Sequence, residues 1–177
     1  MLEEHLKSII RDVHDFPQPG IVFKDITPIL KDQQLCNEII DAFVDRLHGV
    51  EMDAIGGVES RGFLFGMLLA NRLNIPFIPI RKQGKLPFKT ISESYKLEYG
   101  QATIEVHEDA FAPGSKILIH DDLLATGGTV VAASKLLEKL GADIVGYTFI
   151  ISLDFLLGEG RLTRFSDRVI SLARFES

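Results

Sequence analysis

Cysteine is all but missing. Cys36 stands alone, so no internal disulfide can form and no cysteine-based metal spacing exists; an inert helix residue is expected. No apolar run comes near the ~20 residues needed to span a bilayer. The start, MLEEHLKSIIRD, is acidic and amphipathic, with no basic leader before an apolar stretch. A cytoplasmic location, without membrane attachment, is the expectation. Basic excess is absent too. The net charge of −6 disfavours nucleic acid as a partner, because neutralising a phosphate backbone takes a basic surface. A small phosphorylated ligand needs only a local cluster, and Arg81-Lys82-Gln83-Gly84-Lys85 is a candidate. No repeat, low-complexity tract or linker divides the 177 residues, which suit one domain with a full core.

The apolar pattern alternates between two periods. Leu35, Ile39, Ile40, Phe43, Val44 and Leu47 fall at helical spacing, and DAIGGV (53–58) then reads as a short buried strand. RGFLFGMLLANRL (61–73) suits a buried helix, and IPFIPI (75–80) and KILIH (116–120) suit strands. Val130, Ala133, Leu137 and Leu140 form one helical face that Gly141 is placed to end. DIVGYTFII (143–151) and RVISLA (168–173) are further strands. Continuous apolar strands alternating with helices predict an α/β fold: a central parallel sheet covered by helices on both faces. Ligands of such sheets bind beyond the carboxyl ends of the strands. ESRG (59–62) and DDLLATGGT (121–129) are both expected there. Between Lys82 and Lys116 the pattern lapses. Ala102, Ile104 and Val106 alternate with Thr103, Glu105 and His107 as in a half-exposed strand, while KTISESYKLEYG before them is polar. A long segment of this kind reads as a flap over the strand ends.

The chemistry concentrates in DDLLATGGT. A strand-to-helix turn exposes unpaired backbone N–H groups at the positive end of a helix dipole. Gly127 and Gly128 let that backbone wrap an anion, and Thr126 and Thr129 offer hydroxyls: a phosphate cradle. No Lys-Ser or Lys-Thr follows the glycines, so it is neither a Walker A loop nor a dinucleotide fingerprint. Asp121 and Asp122, just before it, could accept hydrogen bonds from vicinal hydroxyls. A ribose 5-phosphate has that layout.

This string resembles the 5-phosphoribosyl 1-diphosphate (PRPP) motif of the type I phosphoribosyltransferase family, in the form of its adenine-using branch. Four other segments are similar in order and spacing: FPQPGIVFKDITPIL (16–30) to the base-binding segment, GGVESRGFLFG (56–66) to the diphosphate loop, RKQGKLP (81–87) to a basic turn, and SYKLEYG (94–100) to the catalytic flap. Two positions depart from the pattern: His120, where an apolar residue is usual, and His14, where proline is usual. The tail from Ser152, including LLGEGRL, matches more loosely.

The resemblance implies a single domain over 1–177, with 1–33 as base-binding segment, 83–113 as a flexible catalytic flap hooding the strand ends, and a homodimer. It implies transfer of 5-phosphoribose from PRPP to N9 of adenine, giving AMP and diphosphate. Asp121 and Asp122 would hold the ribose hydroxyls, directly or with magnesium, and Ala125, Thr126, Gly127, Gly128 and Thr129 would take the 5-phosphate. Glu59, Ser60, Arg61, Arg81, Lys82 and Lys85 would surround the diphosphate. Phe23 and Leu123 would sandwich the purine, whose edge the backbone of Val22 and Lys24 would read. Glu98 would be the acid/base, with Tyr99 beside it in the flap and Arg61 as the other catalytic group. Mg²⁺ is expected to arrive with PRPP rather than in a protein cage. The alternatives are a phosphoribosyltransferase for another base, or a non-catalytic PRPP- or nucleotide-sensing regulator of the same fold.

Overall fold

The structure, a computed structural model, describes residues 1–96 and 100–177. A seven-stranded sheet runs through it in the order β5-β6-β4-β3-β7-β8-β9. Its strands are β3 (Ala54–Val58), β4 (Phe77–Lys82), β5 (Thr90–Lys96), β6 (Gln101–His107), β7 (Lys116–Leu124), β8 (Asp143–Leu153) and β9 (Val169–Phe175). From β4 across to β9 the pairing is parallel, while β6 and β5 continue the sheet antiparallel. Helix α2 (Gln33–Arg46) and helix α3 (Gly62–Leu73) pack on one face through Phe43, Phe65 and Leu69, against Ile55 and Leu118. Helix α4 (Gly128–Lys139) covers the other through Ala133 and Leu137, against Ile117 and Ile119. Alternation along β7 thus feeds two cores, which is why the run reads as continuously apolar.

The chain leaves β3 for β4 on one side and later sets β7 on the other. That reversal opens a crevice at the carboxyl ends of β3 and β7. Close packing of α3 depends on glycine: a Cβ on Gly66 of that helix would sit 2.9 Å from the Phe77 ring. At the N-terminus, α1 (Leu2–Ile9) buries Leu6 and packs beside β9, where Glu3 accepts the Arg174 N–H at 3.1 Å. A separate antiparallel hairpin, β1 (Arg11–His14) and β2 (Val22–Asp25), carries the aromatic segment. Cys36 is half-buried in α2, and burial pushes its thiol pKa up. No helix among the described residues is long and apolar enough to cross a membrane.

The structure corrects three expectations. Strand β7 runs on through both aspartates to Leu124, because parallel pairing continues (Asp121 with Phe149, Leu123 with Ile151) and outweighs the low strand propensity of two acids. The polar stretch before Gly100 holds strand β5, with Ile91, Glu93 and Tyr95 turned inward and Ser92, Ser94 and Lys96 outward. Glu93 sits on the inward face because it pairs with Lys139 of α4. Glu105 is 5% exposed, although its strand face was expected to be wet. The turn after β4 folds over it, and the Lys85 and Leu86 N–H groups donate to its carboxylate at 3.1 and 2.9 Å.

Candidate active site

The crevice is a cavity of about 570 Å³. Its walls are Glu59, Ser60 and Arg61 after β3, Lys82 from β4, Tyr95 from β5, and the run Asp121 to Val130. The cradle is the turn from β7 into α4. Gly127 adopts φ +78°, a left-handed conformation that costs glycine nothing, and caps the first turn of the helix. No side chain caps it, so the backbone N–H groups of the first turn remain available to an anion. The Thr129 hydroxyl donates to the Tyr95 hydroxyl at 3.1 Å and ties β5 to the cradle.

The two aspartates differ sharply. The Asp122 N–H donates to Asp121 Oδ1 at 2.8 Å. Burial, with the neighbouring negative charge of Asp122, pushes the Asp121 carboxyl well above the usual carboxylate range. Asp122 is 3% exposed and its Oδ2 lies 2.6 Å from Arg61 Nε. That contact lies off the axis of a good hydrogen bond, so it is a charge pairing that leaves this oxygen without a hydrogen-bond donor among the described residues. The Arg61 guanidinium carbon is also 4.6 Å from the centroid of the Phe23 ring, within cation–π range. One arginine therefore bridges the acidic pair and the aromatic hairpin. Phe16 meets Phe23 edge-on, 5.2 Å between centroids.

The remaining candidates fall into three groups. Glu59 is engaged by the end of β4: the Lys82 N–H donates to it at 2.9 Å and Arg81 Nε at 3.2 Å. Burial alone would raise its pKa, but these two donors outweigh it and leave the carboxyl below its ordinary value. Of the basic cluster, Lys82 lines the cavity, while Arg81 is drawn to Glu59 and to the Lys85 carbonyl at 3.0 Å. In the aromatic hairpin, Lys24 sends its ammonium to Asp12 at 2.7 Å and over the Phe175 ring, so only its backbone can face a ligand. Among the described residues strand β2 pairs with β1 alone, which leaves its other edge open. Leu123 lines the cavity. Glu98 and Tyr99 lie outside the described residues.

His120 is fully buried on the α2 face, with Nδ1 3.0 Å from Thr148 Oγ1, its ring edge-on to Phe43, and Nε2 without a partner among the described residues. Burial pulls its pKa down to about 3, so it is neutral and brings no charge to the carboxylates beside it. Among the described residues no three His, Cys, Asp or Glu side chains gather as a metal cage. Sequence reasoning did not single out Tyr95, whose signal was the period-two alternation of 91–95. It also passed over the Gly158–Arg161 turn, which backs onto the cradle and whose contacts are to backbone far along the chain.

In chemical terms the crevice joins an anion cradle, an acidic pair that suits hydroxyl donors or a cation, a basic wall and an aromatic shelf. Comparison with known proteins agrees. The phosphoribosyl transferase domain family matches residues 25–153. The adenine phosphoribosyltransferase of Cytophaga hutchinsonii is 52% identical over 99% of this chain and 97% of its own. The crystal structure of adenine phosphoribosyltransferase from Thermoanaerobacter pseudethanolicus superposes with a TM-score of 0.94 at 47% identity, covering 99% of this chain and 100% of that one. The Saccharomyces cerevisiae enzyme, complexed with an imino-altritol bisphosphate and adenine, does so with a TM-score of 0.89 at 39% identity, covering 97% and 98%. The chain belongs to the phosphoribosyltransferase family, within its adenine phosphoribosyltransferases.

Proposed function

We propose that the chain transfers 5-phosphoribose from PRPP to N9 of adenine, forming AMP and diphosphate in purine salvage. The observation that carries this reading is the adjacency, at the end of β7, of the acidic pair and the glycine cradle, with Phe23 one arginine away.

The 5-phosphate binds the N–H groups of Gly127, Gly128 and Thr129, beside Ala125 and Thr126, at the positive end of α4. Asp121 and Asp122 accept the ribose hydroxyls, which supply the donors that Asp122 Oδ2 lacks. Adenine stacks on Phe23 with Leu123 on its other face, taking the place of the Arg61 guanidinium. Arg61 turns to the diphosphate, where Ser60, Lys82, Lys85 and Arg81, with Glu59 holding the turn, set the charge of the basic wall. Fixed positive groups stabilise the charge that develops on the departing diphosphate, and the cradle and shelf align N9 with the ribose carbon. Glu98 exchanges the purine proton and Tyr99 flanks it, as the resemblance of SYKLEYG implies. Residues 83–113 form the flap that excludes water, and 1–33 the segment that holds the base.

The donor set fits Mg²⁺ carried in by substrate: two adjacent carboxylates, one pushed up by burial and by the charge of the other, would be relieved by a cation, and they are too few to cage it alone. Asp121 and Asp122 are the residues that would meet it, and its charge would offset that of the diphosphate. Backbone groups of Val22 and Lys24 read the adenine edge. A 6-oxopurine leaves them mispaired, which sites of this kind reject by ~10⁴-fold. The enzyme acts as a homodimer in the cytoplasm. Leu64, Met67 and Leu68, a contiguous exposed apolar stripe on α3, support the dimer.

The test is to give purified protein Mg²⁺ and PRPP with adenine, hypoxanthine, guanine, xanthine or orotate, and to follow nucleotide by chromatography. AMP from adenine alone is expected. Nucleotide from another base overturns the adenine assignment, and no product despite PRPP binding identifies a sensor of the same fold.

A further inference from the structure

Behind the cradle lies a turn that the transfer reaction leaves unassigned. Gly158 is buried, and its backbone presses on the cradle so closely that a Cβ on it would lie 2.1 Å from the Ala125 carbonyl oxygen. The approach is mutual, since a Cβ on Gly127 would lie 2.9 Å from the Gly158 oxygen. One short turn on, the Arg161 N–H donates to Gly158 O at 3.1 Å, and Arg161 Nη1 donates to the Thr126 carbonyl at 3.0 Å. The same nitrogen is 3.9 Å from where a Cβ on Gly128 would be. The turn is itself held from β9: Arg174 donates to both Asp154 oxygens (3.3 and 3.2 Å) and to Glu159 (3.0 Å).

We propose that Arg161 is a positioning residue for the 5-phosphate end of the substrate, an inference that rests on the site assignment above. It acts through the peptide between Thr126 and Gly127. A trans peptide is planar with its C=O and N–H pointing opposite ways, so a guanidinium that fixes the Thr126 carbonyl also fixes the Gly127 N–H. Arg161 stands outside the lining of the cavity, behind these residues. It therefore adds a positive charge behind the cradle without occupying the phosphate position, and a nearby fixed charge favours a dianion. Because Arg161 is exposed, replacing it leaves the core untouched.

The experiment is calorimetric. Binding of ribose 5-phosphate and of inorganic diphosphate is measured on the wild-type protein, Arg161→Gln and Arg161→Lys, with unfolding midpoints alongside. Arg161→Gln is expected to weaken ribose 5-phosphate by about tenfold, the size of one charge-assisted hydrogen bond. Diphosphate binding and the midpoint should stay at wild-type values, and Arg161→Lys, which keeps a charged donor, should recover most of the loss. Unchanged ribose 5-phosphate binding in Arg161→Gln, an equal loss for both ligands, or no recovery in the lysine variant overturns the proposal. A wild-type protein that binds ribose 5-phosphate yet makes no AMP overturns the transfer reading and leaves this one standing. A wild-type protein that binds no ribose 5-phosphate overturns this proposal, while AMP formation alone decides the transfer reading.

Discussion

At the scale of single residues, the environment changes what each side chain can do. His120 has the pKa of a buried neutral imidazole, about 3 against an ordinary 6.5, with burial as the cause. Its folded pKa lies below its unfolded one, so the protein holds its full stability above pH 6.5 and loses it as pH falls toward 3, where the unfolded chain takes up the extra proton. The loss from this one residue is at most about 1.4 kcal/mol for each pH unit in that window. His120→Leu should flatten that part of the profile, checked by urea midpoints between pH 7 and pH 4. Equal acid sensitivity in both proteins would locate the titration elsewhere. Arg61 shows the same dependence on surroundings. Its charge was legible in ESRG, but its pairing with Asp122 and its stacking on Phe23 arise only when three distant segments meet.

At the scale of elements, the hairpin of β5 and β6 is where reading the sequence fell short. Strand β5 shows water a row of Ser92, Ser94 and Lys96, and that polarity hides the alternation beneath it. By contrast, β3, β7 and α4 carry apolar runs whose periods fix their type, and ATGGT marks the turn between two of them, although β7 reaches four residues further than its apolar run. Glu105 could not be read as buried, because the groups that satisfy it are backbone amides of a turn twenty residues earlier. Arg161 was illegible for the same reason, its partner being a carbonyl rather than a side chain. The hairpin docks on α4 through Lys139 and Glu93 and reaches the cradle through Tyr95 and Thr129. Tyr95→Phe removes one hydroxyl and keeps the ring. It should lower kcat/KM for PRPP about fivefold, a loss of about 1 kcal/mol, with the unfolding midpoint unchanged. A rate equal to wild type would mean that the contact plays no part in turnover.

At the scale of the whole molecule, the sheet puts its chemistry on one edge of the crevice and leaves the apolar stripe of α3 uncovered. Leu64, Met67 and Leu68 are each more than 40% exposed. Met67→Glu would place a charge in the proposed interface at a cost of about 2–5 kcal/mol, and should shift a dimer to monomer in light scattering. A dimer that survives it must use another surface. The pairing of α1 with β9 has a different consequence, one of timing. Glu3 and Arg174 stand 171 residues apart in the chain. At about 5–20 residues per second, α1 emerges roughly 10–30 s before its partner strand exists. Over that interval the apolar face around Leu6 is open to any chaperone at the ribosome, and the brace behind the phosphate cradle, which also depends on Arg174, is still to be made.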